Sequence, residues 1–276
     1  MKKIAVLILI LALAAGAFAQ LSGGYTFSGS TTVAPIAFAA IEQFQKTNPG
    51  VRISYEAVGS GAGLKALAAG TASLAGSSAE LSSEQLASGL KPVTIALDGL
   101  SVVVNKNIKL ANISTDNLAK IYHGDLVNWK DVGGPDLPIV VVNRDESSGT
   151  YVAFWEIVCQ KVFGKAIAFT KNALVAKENG EVAAKVASTP GAIGYVGMAF
   201  VEEVTKAGGR NLMVNGVADT IANVVAKKYP LSRQLYLVTK GEPAAGSVEK
   251  AFIEYVLSPR GQAIVKSVDF IPVPKN

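Results

Sequence analysis

Cysteine and histidine are nearly absent from this chain of 276 residues, which has one of each. Cys159 therefore has no partner for an internal disulfide, and its place in an apolar segment predicts a small buried side chain. One cysteine and one histidine also exclude the usual zinc sites, and a Ser-His-Asp triad would have to use His123. The chain also has no G-x-S-x-G elbow. The sequence gives little support to a metal-dependent or nucleophilic enzyme, so we expect neither a metal nor a cofactor.

A strong charge imbalance is also missing, since 26 basic residues face 21 acidic ones and give a net charge of +5. Loss of Lys2 and Lys3 with a leader would lower the net charge to +3 (5 − 2). The basic residues form no cluster of the kind that binds nucleic acid, so no nucleic-acid partner is predicted. Beyond the N-terminal segment, no apolar run approaches the roughly 20 residues of a membrane-spanning helix.

The first residues predict secretion. Lys2 and Lys3 precede an apolar run from Ile4 to Ala15, and Ala17-Phe18-Ala19 follows as a small-residue cleavage site. Residues 1–19 are therefore predicted to be a signal peptide, which places the mature chain in the periplasm. A buried N-terminal helix is the alternative interpretation. No cysteine lies at the junction, so we do not expect a lipoprotein.

The rest of the chain alternates between strand-like and helix-like segments. Polar and apolar residues alternate from Val51 to Ala57, and apolar residues from Val33 to Phe44 recur at helical spacing. Four short apolar runs predict strands that are buried on both faces: 93–96, 100–104, 139–142 and 235–238. Further helices are predicted at 62–69, 114–121, 151–163, 180–188 and 247–257. This alternation indicates an α/β protein.

Gly, Ser and Thr are concentrated at four junctions where a predicted strand leads to a helix. The junctions are SGSTTVAP (28–35), VGSGAGLK (58–65), AGSSAELS (75–82) and NRDESSGT (143–150). At any single junction, ordinary helix capping by Ser or Thr explains the composition. Four junctions together favour an anion site, because helix N-termini offer free N–H groups and lie at the carboxyl ends of strands. The glycine spacing fits neither a dinucleotide loop nor a P-loop.

Arg144 lies in the fourth junction beside Ser147, Ser148 and Thr150. A guanidinium presents a planar fork of donors that suits an oxyanion. A surface ion pair with Asp145 or Glu146 is the alternative, and both interpretations are compatible.

The chain resembles a known family, the periplasmic phosphate-binding proteins that serve ABC phosphate transporters. The resemblance covers nearly the whole mature chain. It rests on GSTTVAP (29–35), GSGAG (59–63), ALDGLSVVVN (96–105), NWKDVGG (128–134), R-x-x-x-SGT (144–150), PGAIGYV (190–196), YPLSRQLYLVTKG (229–241) and SPRGQAIV (258–265).

The resemblance implies a two-lobed periplasmic binding protein, a type II clamshell whose chain crosses twice between lobes. Lobe one would comprise residues 20–99 plus 232–276, and lobe two residues 100–231. Asp98-Gly99 precedes the apolar run 100–104 and is interpreted first as hinge geometry, with a ligand role as the alternative. The implied role is capture of phosphate for a membrane ABC permease by a monomer without catalysis.

The resemblance also implies which residues hold the phosphate. Thr31 would contribute its hydroxyl, Thr32 its backbone N–H, and Ser60 both groups, while Glu146 would hold Arg144 from behind. The complete implied set is Thr31, Thr32, Ser60, Ser78, Arg144, Ser148, Gly149 and Thr150.

Ser78 departs from the family, because some members have an aspartate there that accepts the proton of HPO4 and thereby excludes sulfate. A serine hydroxyl both donates and accepts, and Glu80 or Asp98 is an alternative source of a carboxylate. Other tetrahedral oxyanions (sulfate, molybdate or tungstate) therefore remain alternative ligands. A secreted phosphatase using the same donors and a receptor that reports its ligand without importing it are further alternatives.

Overall fold

The structure is a computed structural model that describes residues 21–164 and 168–274. The predicted signal peptide lies outside the described residues. Within the described ranges, no helix has the length and apolar character needed to cross a membrane.

Eleven strands form one continuous sheet in the described residues. They are β1 Gly23–Gly29, β2 Val51–Glu56, β3 Leu74–Ser77, β4 Leu90–Asn105, β5 Asn112–Ile113, β6 Val140–Arg144, β7 Leu174–Ala176, β8 Ala192–Gly197, β9 Gly209–Val214, β10 Ser232–Lys240 and β11 Ile271–Pro272. The principal order is β2-β1-β3-β10-β4-β8-β6-β7, with β5, β9 and β11 beside this path.

Helices cover both halves of the sheet, which confirms the α/β class. The α-helices are α1 Ala34–Thr47, α2 Ser60–Ala69, α3 Ser83–Ala87, α4 Thr115–His123, α5 Gly149–Phe154, α6 Gln160–Phe163, α7 Asn179–Ser188, α8 Val201–Lys206, α9 Ile221–Val225, α10 Val248–Leu257 and α11 Pro259–Ser267. Short 3-10 turns span Trp129–Val132 and Met198–Phe200, and a π-helical turn at Trp155–Cys159 joins α5 to α6. The single helix predicted at 151–163 is therefore three consecutive pieces that begin at Gly149.

Local sequence accounts for the first strand–helix units. Val51, Ile53 and Tyr55 are the buried residues of β2, as the alternation predicts. Helix α1 starts beside Pro35 and ends at Asn48, whose backbone N–H and side-chain amide both donate to the carbonyl oxygen of Phe44. Parallel pairing of β1 with β2 and β3 then brings the carboxyl ends of these strands to one edge.

The runs at 93–96 and 100–104 were predicted as separate strands, but they belong to the single 16-residue strand β4. Asp98-Gly99 does not interrupt it, because β10 pairs antiparallel along the strand and places Arg233 opposite Asp98. The first half of β4 pairs with β10, and the second half pairs with β8 and β9. One strand therefore runs through both halves of the molecule.

Two main apolar cores lie on either side of this crossing. One contains the packed rings of Phe27, Phe44 and Phe252, contributed by β1, α1 and α10. The other contains Phe154 stacked on Tyr195 with ring centroids 4.0 Å apart. Separate cores joined by neighbouring strands give the two-lobed clamshell that the resemblance implied.

Candidate functional site

The four hydroxyl-rich junctions meet where the two lobes face each other. Residues of the β1–α1, β2–α2 and β3–α3 junctions contact the β6–α5 junction directly. Of the eight residues in the predicted set, Thr31 is half-buried and the other seven are buried: Thr32, Ser60, Ser78, Arg144, Ser148, Gly149 and Thr150. The sequence-predicted residues are thus brought together in one enclosed region.

The two lobes are in close contact at Gly149, which packs against Ser60 and Ser78. A Cβ placed on Gly149 would lie 2.2 Å from Ser60 Oγ and 2.7 Å from Ser78 Oγ. Nearby, the backbone N–H of Gly61 donates to the carbonyl oxygen of Ser147 at 2.8 Å. Only a residue without a side chain fits at Gly149 while the lobes are in this arrangement.

Serine side chains accept backbone N–H groups at two of the four junctions. Ser148 Oγ accepts from the N–H groups of Thr150 and Tyr151, so its own hydroxyl proton is left to donate elsewhere. Ser30 Oγ accepts in the same way from Thr32 and Val33. The N–H of Thr32, predicted to donate to the ligand, is therefore already donated to Ser30.

Arg144 is buried at the end of β6 and has only neutral hydrogen-bond partners among the described residues. Its guanidinium donates to the carbonyl oxygens of Ala176 and Lys177 at 3.3 and 2.8 Å. It also donates to Asn179 Oδ1 at 3.3 Å and to Thr31 Oγ1, across the lobe boundary, at 3.0 Å. Burial lowers the pKa of Arg144 to about 10, which leaves it charged at neutral pH.

The acids next to Arg144 in sequence do not hold it. Glu146, the predicted support, is exposed, and Asn179 with two backbone carbonyls takes its place. Asp145 turns instead to Ser147, whose N–H donates to Asp145 Oδ1 at 2.9 Å. Hydrogen bonds from Ser147 lower the pKa of the Asp145 carboxyl. In the part of the chain that the structure describes, the buried guanidinium of Arg144 therefore has no carboxylate in contact.

Arg233 is a second buried arginine that the sequence analysis did not select. Its Nε and Nη2 donate to Asp98 Oδ2 at 2.9 and 2.7 Å. Its Nη1 donates both to the carbonyl oxygen of Ser78 and to Thr150 Oγ1, each at 3.0 Å. Arg233 lies on a strand at the crossing and thus contacts both walls of the site, the lobe-one wall at Ser78 and the lobe-two wall at Thr150.

The hydroxyls of Thr32 and Thr150 meet between the two arginines at 3.0 Å. Asn179 links them to Arg144, because its Nδ2 donates to Thr32 Oγ1 at 3.2 Å while its Oδ1 accepts from Arg144. Asn179 was also missed by the sequence analysis. Its position at the start of a helix after a short strand was the available signal, but α7 carries no Ser or Thr motif there.

Ser78 lies beside Ser60, and neither of the suggested carboxylates reaches this position. Ser60 Oγ accepts from the N–H of Ser78 at 3.1 Å and lies 3.4 Å from Ser78 Oγ. Glu80 is exposed, while Asp98 accepts from Arg233 on one oxygen and from the N–H of Met198 on the other. The hydroxyl groups of Ser60 and Ser78 therefore occupy the position for which a carboxylate acceptor was considered.

Metal or nucleophilic chemistry has little basis in the described part of the chain. No group of three or more His, Cys, Asp and Glu side chains there could hold a metal ion. His123 ends α4 and its Nδ1 lies 2.9 Å from Asp125 Oδ1. Cys159 is buried as predicted, and burial raises the pKa of its thiol to about 12.

A buried donor-rich site between two lobes joined by adjacent strands defines the class of solute-binding proteins. In agreement, residues 17–260 match the family model of the PBP superfamily domain. The phosphate-binding protein PstS of Borreliella burgdorferi is 36% identical over 250 residues, which cover 90% of this chain and 89% of that protein. PstS of Bacillus subtilis is 34% identical over 257 residues, which cover 91% of this chain and 81% of that protein.

Solved structures agree with these sequence matches. A putative phosphate ABC transporter substrate-binding protein of Clostridium perfringens, solved with bound phosphate, is 35% identical with a TM-score of 0.83. The match covers 91% of this chain and 100% of that one. An ABC-type phosphate transport receptor of Vibrio cholerae is 29% identical, with a TM-score of 0.77 and the same coverage of both chains. The chain belongs to the PBP superfamily and, within it, to the family of the phosphate-binding protein PstS.

Proposed function

We propose that this protein is an extracytoplasmic receptor that captures inorganic phosphate between its lobes and delivers it to a membrane ABC permease. The observation that carries the proposal is Arg144, a buried guanidinium whose partners are all neutral. A buried charge of this kind is costly unless an opposite charge approaches it. An oxyanion placed among the surrounding hydroxyl and N–H donors provides that charge.

The proposed phosphate contacts follow from this arrangement. Arg144 and the helix-start donors of Ser148, Gly149 and Thr150 come from one wall. Thr31, Ser60 and Ser78 come from the other wall, whereas the N–H of Thr32 is already donated to Ser30 Oγ. Because a closed cleft removes water from the anion, these fixed donors must replace its hydration.

The lobes proposed for this function are residues 20–99 plus 232–276 and residues 100–231. Closure around the anion brings Gly61 against Ser147 and Gly149 against Ser60, the contacts described above. The closed form would then present both lobes to the permease. We propose that the receptor acts as a periplasmic monomer, released from its leader by cleavage, and that it changes no covalent bond in phosphate.

Isothermal titration calorimetry on the mature chain, unfolded and refolded to remove bound ligand, tests the proposal. We expect tight phosphate binding, and a loss of about a hundredfold or more in Arg144→Met, because removing one partner of a buried charged contact costs roughly 2–5 kcal/mol. Arg210→Met is the matched control, since Arg210 also donates to a backbone carbonyl (Ile108, 2.7 Å) but lies on β9, opposite Val104 near the far end of β4. Unchanged affinity in Arg144→Met would refute the site.

A second candidate ligand is another tetrahedral oxyanion, because hydroxyls rather than a carboxylate lie at Ser78 and Asp98 is occupied by Arg233. Titrations with sulfate, molybdate and tungstate beside phosphate separate the candidates. A stronger response to any of them than to phosphate would replace phosphate as the ligand. Turnover of a chromogenic phosphate ester that survives stringent purification would instead indicate a phosphatase.

A further inference from the structure

The threonine pair at the centre of the site has a hydrogen-bond direction that its neighbours determine. Asn179 Oδ1 accepts from the guanidinium of Arg144 and from the backbone N–H of Gly197 at 3.2 Å. Both partners are donors only, so the amide orientation of Asn179 is fixed and its Nδ2 must donate. It donates to Thr32 Oγ1, which thereby loses one of its two acceptor sites.

Arg233 fixes the other side of the pair. A guanidinium has no acceptor atom, so its Nη1 can only donate to Thr150 Oγ1. The same nitrogen holds the carbonyl of Ser78, and the remaining donors of the fork hold Asp98. Arg233 therefore cannot turn away from Thr150 without breaking contacts with both of these residues.

The number of hydroxyl protons limits the hydrogen-bond directions that Thr32 and Thr150 can adopt. Each hydroxyl has one proton and two acceptor sites, and one acceptor site on each is already used. The bond between Thr32 and Thr150 uses one proton and one more acceptor site. Whichever hydroxyl accepts this bond has both acceptor sites filled, and its own proton must point to a third group.

We infer that Thr32, Asn179 and Arg233 are positioning residues that make the Thr150 hydroxyl an obligatory hydrogen-bond donor to the bound oxyanion. The inference rests on the proposed function, which places the anion at the start of α5. Thr150 is part of that helix start, so an anion there favours the direction in which Thr32 donates to Thr150 and Thr150 donates to the anion. Thr150 then recognises a bare oxygen of the ligand, and a protonated oxygen must bind elsewhere in the site.

Calorimetry with inorganic phosphate on Thr32 variants tests this role. Thr32→Val removes the hydroxyl but keeps the shape and backbone N–H, and we expect about a tenfold rise in Kd. Thr32→Ser restores the hydroxyl and should bring Kd back to within about threefold of the wild type. Thr32→Ala removes the same hydroxyl with less bulk and serves if the valine variant folds poorly.

Thr239→Val is the matched control, because Thr239 is also buried and donates to the carbonyl oxygen of Gly241 in lobe one at 2.8 Å. It should lower thermal stability without changing Kd. The coupling of Thr32→Val with Arg233→Lys gives a second measurement. The two residues act through the same hydroxyl, so the double variant should lose less affinity than the product of the single losses.

Two results would overturn the inference while the proposed function stands. One is wild-type phosphate affinity in both Thr32→Val and Thr32→Ala, and the other is fully multiplicative losses in the double variant. Absence of phosphate binding by the wild type itself would refute the proposed function and the inference together.

Discussion

Arg144 at the end of β6 and Arg233 on the crossing strand β10 are both buried, and both reach the same pair of walls, but their surroundings differ in charge. Arg233 donates two hydrogen bonds to Asp98 Oδ2. Arg144 donates to carbonyls, an amide and a hydroxyl. One arginine is neutralised by the protein, and the other is left for a ligand to neutralise.

The difference separates stability from binding within one polar network. Removing one partner of a buried ion pair leaves an uncompensated charge, which is strongly destabilising. Removing a buried charge that has no counter-ion also removes its desolvation cost, which offsets the lost hydrogen bonds. We therefore expect Arg233 to dominate folding and Arg144 to dominate affinity.

The largest effect on stability is expected for Arg233→Met. Asp98 would remain buried without its partner, and the free energy of unfolding should fall by about 3–5 kcal/mol. Denaturant unfolding of the ligand-free protein measures this, with release of the buried Cys159 thiol as a second probe. The Asp98→Asn, Arg233→Met double variant should recover part of the loss. An equally unstable double variant would contradict an ion-pair origin.

The next effect concerns the contact between the lobes at Gly149. In Gly149→Ala the methyl group would collide with Ser60 Oγ and Ser78 Oγ, so the closed arrangement should be lost or strained. We expect the free energy of phosphate binding to weaken by about 1–3 kcal/mol, the usual cost of overpacking. The unfolding free energy of the ligand-free protein should change little. Gly133→Ala has open space around its Cβ and is the steric control, although its positive φ adds backbone strain. Wild-type phosphate affinity in Gly149→Ala would mean that the lobes do not close through the contact at Gly149.

A smaller effect on stability is expected for Arg144→Met. Its ligand-free unfolding free energy should change by about 1 kcal/mol or less, because lost hydrogen bonds and relieved desolvation oppose each other. The same denaturant titration used for Arg233→Met measures it. A loss as large as that of Arg233→Met would mean that the two arginines are not electrostatically different.

The smallest effect is expected at Asp145, the sequence neighbour that does not pair with Arg144. Its folded pKa is lowered, chiefly by hydrogen bonds from Ser147, so its contribution is present above the unfolded pKa and is lost as pH falls through the lower folded value. Asp145→Asn should therefore be less stable than the wild type by about 0.5 kcal/mol or less at pH 7, and the difference should shrink as pH falls through the folded pKa of Asp145. Thermal unfolding at neutral and at acid pH measures this. A large loss of phosphate affinity would instead indicate that Asp145 supports Arg144.

Local sequence predicted the elements whose determinants are local. The alternation from Val51 to Ala57 and the helical spacing from Val33 to Phe44 depend on neighbouring residues, and the structure has a strand and a helix there. The prediction of separate strands at 93–96 and 100–104 was wrong, because the charge that permits a buried aspartate in mid-strand comes from Arg233, whose separation in sequence is 135 residues. A pattern read along one segment does not contain that information.

The site shows the same division between local and distant determinants. Serine and threonine junctions could be found from composition, since capping and anion binding use the same residue types. Which side chain supports Arg144 depends instead on the path of β7 and α7, and this brings Asn179 rather than Glu146 to the guanidinium. For the same reason, sequence alone could not exclude Asp98 as the acceptor near Ser78.

The pairing of β4 with β10 has a consequence for how the chain is connected. Gly99 is the register partner of Ser232, and the backbone N–H of Leu100 donates to the carbonyl oxygen of Leu231 at 2.8 Å. The chain thus leaves and re-enters the first half of the molecule at adjacent points. On the lobe boundaries proposed above, residues 100–231 would be a cassette inserted into a hairpin, and a tight turn joining Gly99 to Ser232 would close the remaining sheet without moving any of its other strands.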